Sequence, residues 1–218
     1  LGIYIFAPHE LLRLNPINAA IVIFDGALLI IALIPYYYAL SEGEASTVVP
    51  LYQTIPIFSF ILGFIFLKET ILPLQLFAGL LIMVGAMLIS VDLDKFRIKK
   101  KVLFLMILSS FIVAVYFLVF KYVAINENFW GTSFWEYIGV SLVGLLLFTF
   151  VGNYRKQFID IFKENNIAII SINGLNEVIN IGSKLLVQYA SLLVPVVLVT
   201  VANGLQPCKK EKWERLVG

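Results

Sequence analysis

Six long apolar stretches divide this chain: residues 17–40, 47–67, 71–91, 102–124, 134–152 and 166–193, here called segments A to F. A helix needs about 20 mostly apolar residues to cross roughly 30 Å of hydrocarbon at about 1.5 Å per residue. Each segment reaches that length. Barrel strands would instead alternate polar and apolar positions over about ten residues, and a run such as Ile61-Leu62-Gly63-Phe64-Ile65-Phe66-Leu67 does not alternate. A seventh apolar stretch, Val194 to Pro207, holds 14 residues and would cover only about 21 Å, too little to span.

The solvent for these rods follows from charge. Of 218 residues, 61% are hydrophobic and 14% charged, whereas a soluble domain carries roughly a quarter charged residues. So few charges cannot cover a water-facing exterior, and the apolar surface must face lipid. Net charge is +2, with the basic residues in short clusters between apolar runs. They read as loop anchors, so no nucleic-acid partner is expected. The single cysteine, Cys208, and single histidine, His9, provide neither an internal disulfide nor a zinc constellation, and no metal or cofactor is expected. The first residues lack a basic n-region and a small-residue cleavage site, so targeting falls to the first hydrophobic span.

The separators Ser41 to Glu44, Lys68-Glu69-Thr70, Asp92 to Lys101, Asn126 to Ser133 and Asn153 to Asn166 are polar and turn-prone, which makes them loops. The C–D loop carries Lys95, Arg97, Lys99, Lys100 and Lys101, and the E–F loop carries Arg155, Lys156 and Lys163. Two helices separate these loops, so they share a side. The other side has only Arg13, Lys68 and Lys121. The positive-inside bias therefore places C–D and E–F in the cytoplasm, with Trp130 and Trp135 near the opposite interface.

A repeat is visible along the chain. Tyr38-Ala39 followed by Pro56 recurs as Tyr189-Ala190 followed by Pro207, each displaced by the same 151 positions. At that offset Ile30 matches Ile181, Val48 matches Val199, and Asp25 falls on Asn176. Segment F comes five helices after A, an odd number of steps, so the two copies would run in opposite directions across the bilayer. Inverted repeats of this kind are common in secondary transporters, whose substrate site lies at the repeat interface near mid-membrane. Chance agreement between two apolar stretches is the alternative reading.

Several landmarks occur together in the first copy: Tyr36-Tyr37-Tyr38-Ala39-Leu40, Gly43-Glu44-Ala45-Ser46, Val49-Pro50-Leu51, Pro56, Leu67-Lys68-Glu69, and Gly79 through Gly85-Ala86. This stretch resembles the EamA-type repeat of the drug/metabolite transporter superfamily, over residues 18–90. Residues 102–207 are similar to the second copy in helix pattern, with Tyr189-Ala190, Pro195 and Pro207 in order. The resemblance implies an all-α membrane protein, a polytopic helical bundle with two inverted five-helix repeats, here truncated at both ends to about helices three to nine of ten. Residues 1–91 would be the end of the first repeat, with the end of helix two and helices three, four and five. Residues 92–101 would be a basic inter-repeat loop, 102–207 a partial second repeat with helices six, seven, eight and the start of nine, and 208–218 an aberrant polar tail. That tail is expected to reflect a frameshift, an assembly error or a truncated gene. The family is usually drawn with both termini in the cytoplasm, which would put the C–D loop outside. The charge count is kept here over that drawing.

Ionisable residues within a span cost about 2.5–3.5 kcal/mol each on insertion scales and mark function by default. Asp25, Glu177 and Lys184 qualify. Glu177 and Lys184 lie two turns apart on one face of segment F, with Asn173, Asn180 and Gln188 close to the same stripe. That stripe is read as a translocation path, Glu177 or Asp25 exchanging a proton and Lys184 pairing with one of them or with an anionic substrate. Hydrogen bonds that only glue the bundle are the alternative. Pro50 and Pro56 can unwind segment B locally and expose carbonyls, and Tyr52 and Gln53 between them could touch a ligand; prolines that are merely tolerated are the alternative. Tyr38 ends segment A with Tyr36 and Tyr37, as an interfacial belt or a stacking surface. In segment C, Ala78 with Gly85 and Gly79 with Ala86 recur seven apart and predict close helix packing. Glu69 is expected to be a solvated loop charge.

These readings converge on a secondary transporter, not an enzyme, moving a small organic metabolite such as an amino acid or drug by alternating access, proton-coupled or by exchange. Its partners would be that solute and the lipid bilayer, with a homodimer compatible, in a multi-pass cell-membrane location. A membrane-embedded transferase would need a catalytic His or paired carboxylates for a metal, and the only histidine is His9. A non-functional transporter fragment is the third reading.

Overall fold

Asn15-Pro16 opens the first helix of the computed structural model by two local devices. The Asn15 side chain accepts a hydrogen bond from the Ile17 N–H, and Pro16 stands at the first turn, where its missing N–H costs nothing. The structure describes residues 12–43, 48–90, 99–152, 155–156, 159 and 167–203. Within these, the helices are α1, Pro16–Glu42; a 3-10 segment, Val49–Thr54, leading into α2, Ile55–Phe66; α3, Pro73–Ser90; α4, Lys100–Asn126; α5, Phe129–Phe150; α6, Ile167–Leu193; and α7, Val196–Asn203. Among the described residues no strand forms. Among the described residues four spans are long and apolar enough to cross a membrane: Pro16–Glu42, Val49–Phe66, Lys100–Asn126 and Phe129–Phe150. Phe24, Phe64, Leu74, Phe104, Leu145 and Leu186 stand exposed on them and on α3 and α6; in lipid such side chains are solvated rather than stranded.

Three expectations change in detail. Segment B is not one α-helix: Pro50 and Pro56 bracket a 3-10 turn, tightened because neither proline can donate to the ladder. Segment E begins earlier, at Phe129, because the Asn128 side chain caps the Gly131 N–H at 2.7 Å and converts most of the expected loop 126–133 into helix. The small residues of segment C do not make the closest helix contact. A Cβ on Gly85 would meet open space and one on Gly79 would only touch Val201.

Close approach occurs between α1 and α5 instead. A Cβ on Gly26 would collide with the Glu136 carbonyl, and one on Gly139 with the Ile23 backbone. Without a hydrophobic drive between helices in lipid, such backbone contact through small residues is what holds spans together. Helix α4 packs antiparallel on α1. At one end Asn18 donates to Glu127 at 2.6 Å, and at the other Lys99 donates to the Glu42 carbonyl and Lys101 pairs with the Glu42 carboxylate, both at 2.7 Å. Each of these charges complements the helix end it meets: Glu127 the start of α1, the lysines its finish. Between the ends Ser109 donates to the Ala32 carbonyl at 2.7 Å, in the turn before Pro35, which is how polar side chains support a proline-interrupted span.

Helix α1 ends at Glu42 and α6 at Leu193, 151 positions apart. This is the offset at which Tyr38 and Tyr189 were aligned. Pro207, the polar tail and residues 1–11 lie outside the described residues, as do most of the C–D and E–F loops.

Candidate functional site

Because α1 and α5 touch backbone to backbone, the side chains beside the contact share a confined space. Asp25 precedes Gly26 on α1 and Glu136 lies three residues before Gly139 on α5; both are fully buried. The Glu136 carboxylate is surrounded by donors. Tyr116 of α4 donates to Oε1 at 2.7 Å, Gln188 of α6 donates to Oε2 at 2.5 Å and to the Tyr116 oxygen at 2.9 Å, and the Lys184 ammonium lies 2.7 Å from Oε1. That ammonium also sits over the Tyr137 ring at 4.6 Å and the Tyr116 ring at 5.5 Å. Asp25 feels the charges of Glu136 and Lys184, yet among the described residues neither of its carboxylate oxygens has a hydrogen-bond partner.

Depth along the helices is consistent. Asp25 is nine residues from the start of α1, Glu136 seven from the start of α5, Lys184 nine from the end of α6 and Tyr116 ten from the end of α4. At about 1.5 Å per residue, four helices thus bring their polar groups to one layer about 10–15 Å inside the same face of the bundle.

Of the residues singled out in the sequence, Asp25, Lys184 and Gln188 meet in this cluster. Glu177 and Asn180 lie on the same helix but are exposed, and the side chain of Asn173 is outside the described residues. Tyr38 is exposed. Pro50, Tyr52 and Gln53 sit in the 3-10 segment, where Tyr52 stacks on Tyr36 with ring centroids 4.7 Å apart and hydrogen-bonds Ser109. Tyr52 there packs against Ala39, Val48, Leu51, Val102 and Met106 near the basic end of α1 and α4, apart from the charged layer. Sequence reasoning missed Glu136, Tyr116 and Tyr137. Glu136 was hidden by the late start given to segment E: with the helix beginning at Phe129, it stands two turns inside an apolar span and would have counted as intramembrane.

A second buried pair lies nearer the face. Lys121 of α4 is 2.6 Å from Glu69 and donates to the Val194 carbonyl at 2.7 Å, while Glu69 accepts from the Val196 N–H at 3.0 Å. Glu69 had been expected as a solvated loop charge, and Lys121, near the end of segment D, had only been counted with the face opposite the C–D loop. Lys68, with φ of 54°, turns the chain through the left-handed region and directs Glu69 back under α2 toward the start of α7. A cavity of about 170 Å³ between α2, α3 and α7 is lined by apolar side chains such as Phe60, Leu76 and Val201 and by Gln75. None of the charged residues above lines it, and it offers no charge to a solute. Among the described residues no group of three His, Cys, Asp or Glu side chains could hold a metal.

Comparison with known proteins now bears on what this bundle is. The model of the EamA-like transporter family matches residues 1–91. Through these residues, the chain is similar to the EamA-like transporter family. The EamA-like segment holds α1, α2 and α3, and so supplies Asp25 and Glu69, while Tyr116, Lys121, Glu136 and Lys184 lie beyond it. The chain is 39% identical over 70 residues to an uncharacterized protein of Methanocaldococcus jannaschii, a match covering 32% of this chain and 51% of that protein. It therefore spans about half the length of the curated relative it matches. No solved structure matches the chain. The match to this transporter family over residues 1–91 and the four apolar spans among the described residues make the chain an integral membrane protein.

Proposed function

We propose that the chain is part of a secondary transporter that moves a small organic solute, such as an amino acid, another metabolite or a drug, across the cell membrane by alternating access. The observation that carries this reading is the Asp25–Glu136–Lys184 layer. Two carboxyl groups and one ammonium inside an apolar bundle are too costly to serve as packing alone, and such groups line solute and proton paths. The ends of α1 and α6, Glu42 and Leu193, at the same 151-residue offset as the sequence repeat, support two modules related by inversion, with this layer between them.

Asp25 is the coupling group in this reading. As a neutral acid it needs only a hydrogen-bond acceptor in the buried layer, whereas as an ion it needs a cation. Proton release therefore goes with arrival of a cation or with opening of the layer. A proton crossing 100 mV delivers about 2.3 kcal/mol, enough to concentrate a neutral solute nearly fifty-fold. Glu136 takes the pairing role that the sequence had given to Glu177.

The test is solute-linked proton movement in proteoliposomes, followed with a trapped pH dye while a panel of amino acids and small drugs is added. Asp25→Asn should abolish the proton signal, and Glu42→Gln, at the exposed end of α1, should keep it. An undiminished signal in Asp25→Asn would remove that carboxyl from the mechanism.

A further inference from the structure

Lys184 is held in the way a receptor holds a ligand. Its ammonium has one carboxylate at 2.7 Å, the face of Tyr137 at 4.6 Å and that of Tyr116 at 5.5 Å. A carboxylate with two aromatic faces is the chemistry that recognises organic ammonium ions. The walls of this seat are fixed by other groups: Tyr116 and Gln188 orient the Glu136 carboxylate from two helices. The occupant is less constrained. Lys184 reaches in from α6 on a flexible stem, and its side chain keeps 22% of its surface exposed while Glu136 has none. Beside the seat stands Asp25, fully buried and, among the described residues, without a hydrogen-bond partner for either oxygen. The layer therefore holds two carboxyl groups for one ammonium, and the unfilled electrostatic demand is for a cation.

We propose that this seat is a binding site for an organic ammonium ion, and that Lys184 is a tethered competitor which fills it when no ligand is bound. An incoming ammonium takes the place of the Lys184 nitrogen between Glu136 and the Tyr137 ring. Lys184 then withdraws along the exposed face of α6 toward Glu177, and Asp25 supplies the second negative charge. An anionic ligand, which would use Lys184 as its partner, would have to leave Glu136 buried and unpaired, a more expensive exchange. The inference deepens the transport reading, because it names the chemical class of the solute, but binding can be measured without transport.

The experiment is equilibrium binding of benzylammonium to the full chain in lipid nanodiscs, with benzyl alcohol and benzoate as neutral and anionic counterparts. Saturable binding of benzylammonium alone is expected. Lys184→Met, which empties the seat, should tighten it by about tenfold or more, since a site occupied by its own competitor shows only its free fraction to a ligand. Glu136→Gln should weaken it by a similar factor. Tyr137→Phe, which keeps the ring, should bind like the parent, whereas Tyr137→Leu should lose about fivefold. Should Lys184→Met fail to assemble, the two Tyr137 variants decide. Equal affinities in parent and Lys184→Met, equal affinities in the two Tyr137 variants, or preference for benzoate would overturn the proposal. Uptake of the same probe into proteoliposomes separates it from the carrier reading. Binding without uptake keeps the ammonium seat and removes transport, whereas uptake of other solutes with no benzylammonium binding removes the seat alone.

Discussion

Glu69, at the turn that ends α2, and Lys121, inside α4, form an ion pair of 2.6 Å that solvent barely reaches, and each also satisfies a backbone group at the junction of α6 and α7. Lys121 is five residues from the end of α4, so the pair stands between the charged layer and the nearer face. It ties the EamA-like segment to the remainder of the chain.

Breaking one side of this pair leaves a buried charge without its counter-ion and a backbone group without its partner. Lys121→Met should therefore destabilise the protein by about 3–5 kcal/mol, and adding Glu69→Gln should restore part of the loss. Thermal unfolding in one detergent, with the two single variants and the double variant side by side, checks this. Equal losses in single and double variants would show that the ion pair itself contributes nothing.

The backbone contact between α1 and α5 makes a second prediction. Gly139→Leu must push α5 away from Ile23, at a cost of about 1–3 kcal/mol for an overfilled contact, and should separate Asp25 from Glu136. Gly85→Ala, which meets open space, should leave the melting temperature unchanged. Loss of stability at Gly85 and none at Gly139 would invert the packing described here.

Lys68 carries a positive φ that L side chains adopt at a cost of about 1–2 kcal/mol. Lys68→Gly should thus stabilise the turn or leave it unchanged, and Lys68→Val should destabilise it and loosen Glu69. Lys68→Gly should melt at or above the parent temperature and Lys68→Val below it.

The span-forming character of the chain was legible because lipid imposes length and apolarity on every crossing helix, and Asp25 and Lys184 stood out for the same reason. The partners of these residues were not. Glu136 looked interfacial beside Trp135 because a cap at Asn128, rather than hydrophobicity, decides where α5 begins. Glu69 looked like a loop charge and Lys121 like a charge at the end of segment D, because burial of an ion pair is a property of two helices meeting, which neither local stretch encodes. The glycines of segment C looked like a packing seam by their spacing, yet the seam runs through Gly26 and Gly139, whose mates lie on a different helix. Glu177 and Asn180 share a stripe with Lys184, but the described residues of α6 from 171 to 183 are exposed on every side, and the helix meets the bundle only from Lys184 onward.

The account depends on Glu136 and Lys184 being coupled inside the bundle. The most direct measurement is a double-mutant cycle of unfolding free energies in one detergent, comparing the parent, Glu136→Gln, Lys184→Met and the combined variant. A coupling of at least about 1 kcal/mol is predicted for groups that share one buried network. Effects that add within about 0.3–0.5 kcal/mol, as for separated residues, would contradict the charged layer and the function built on it.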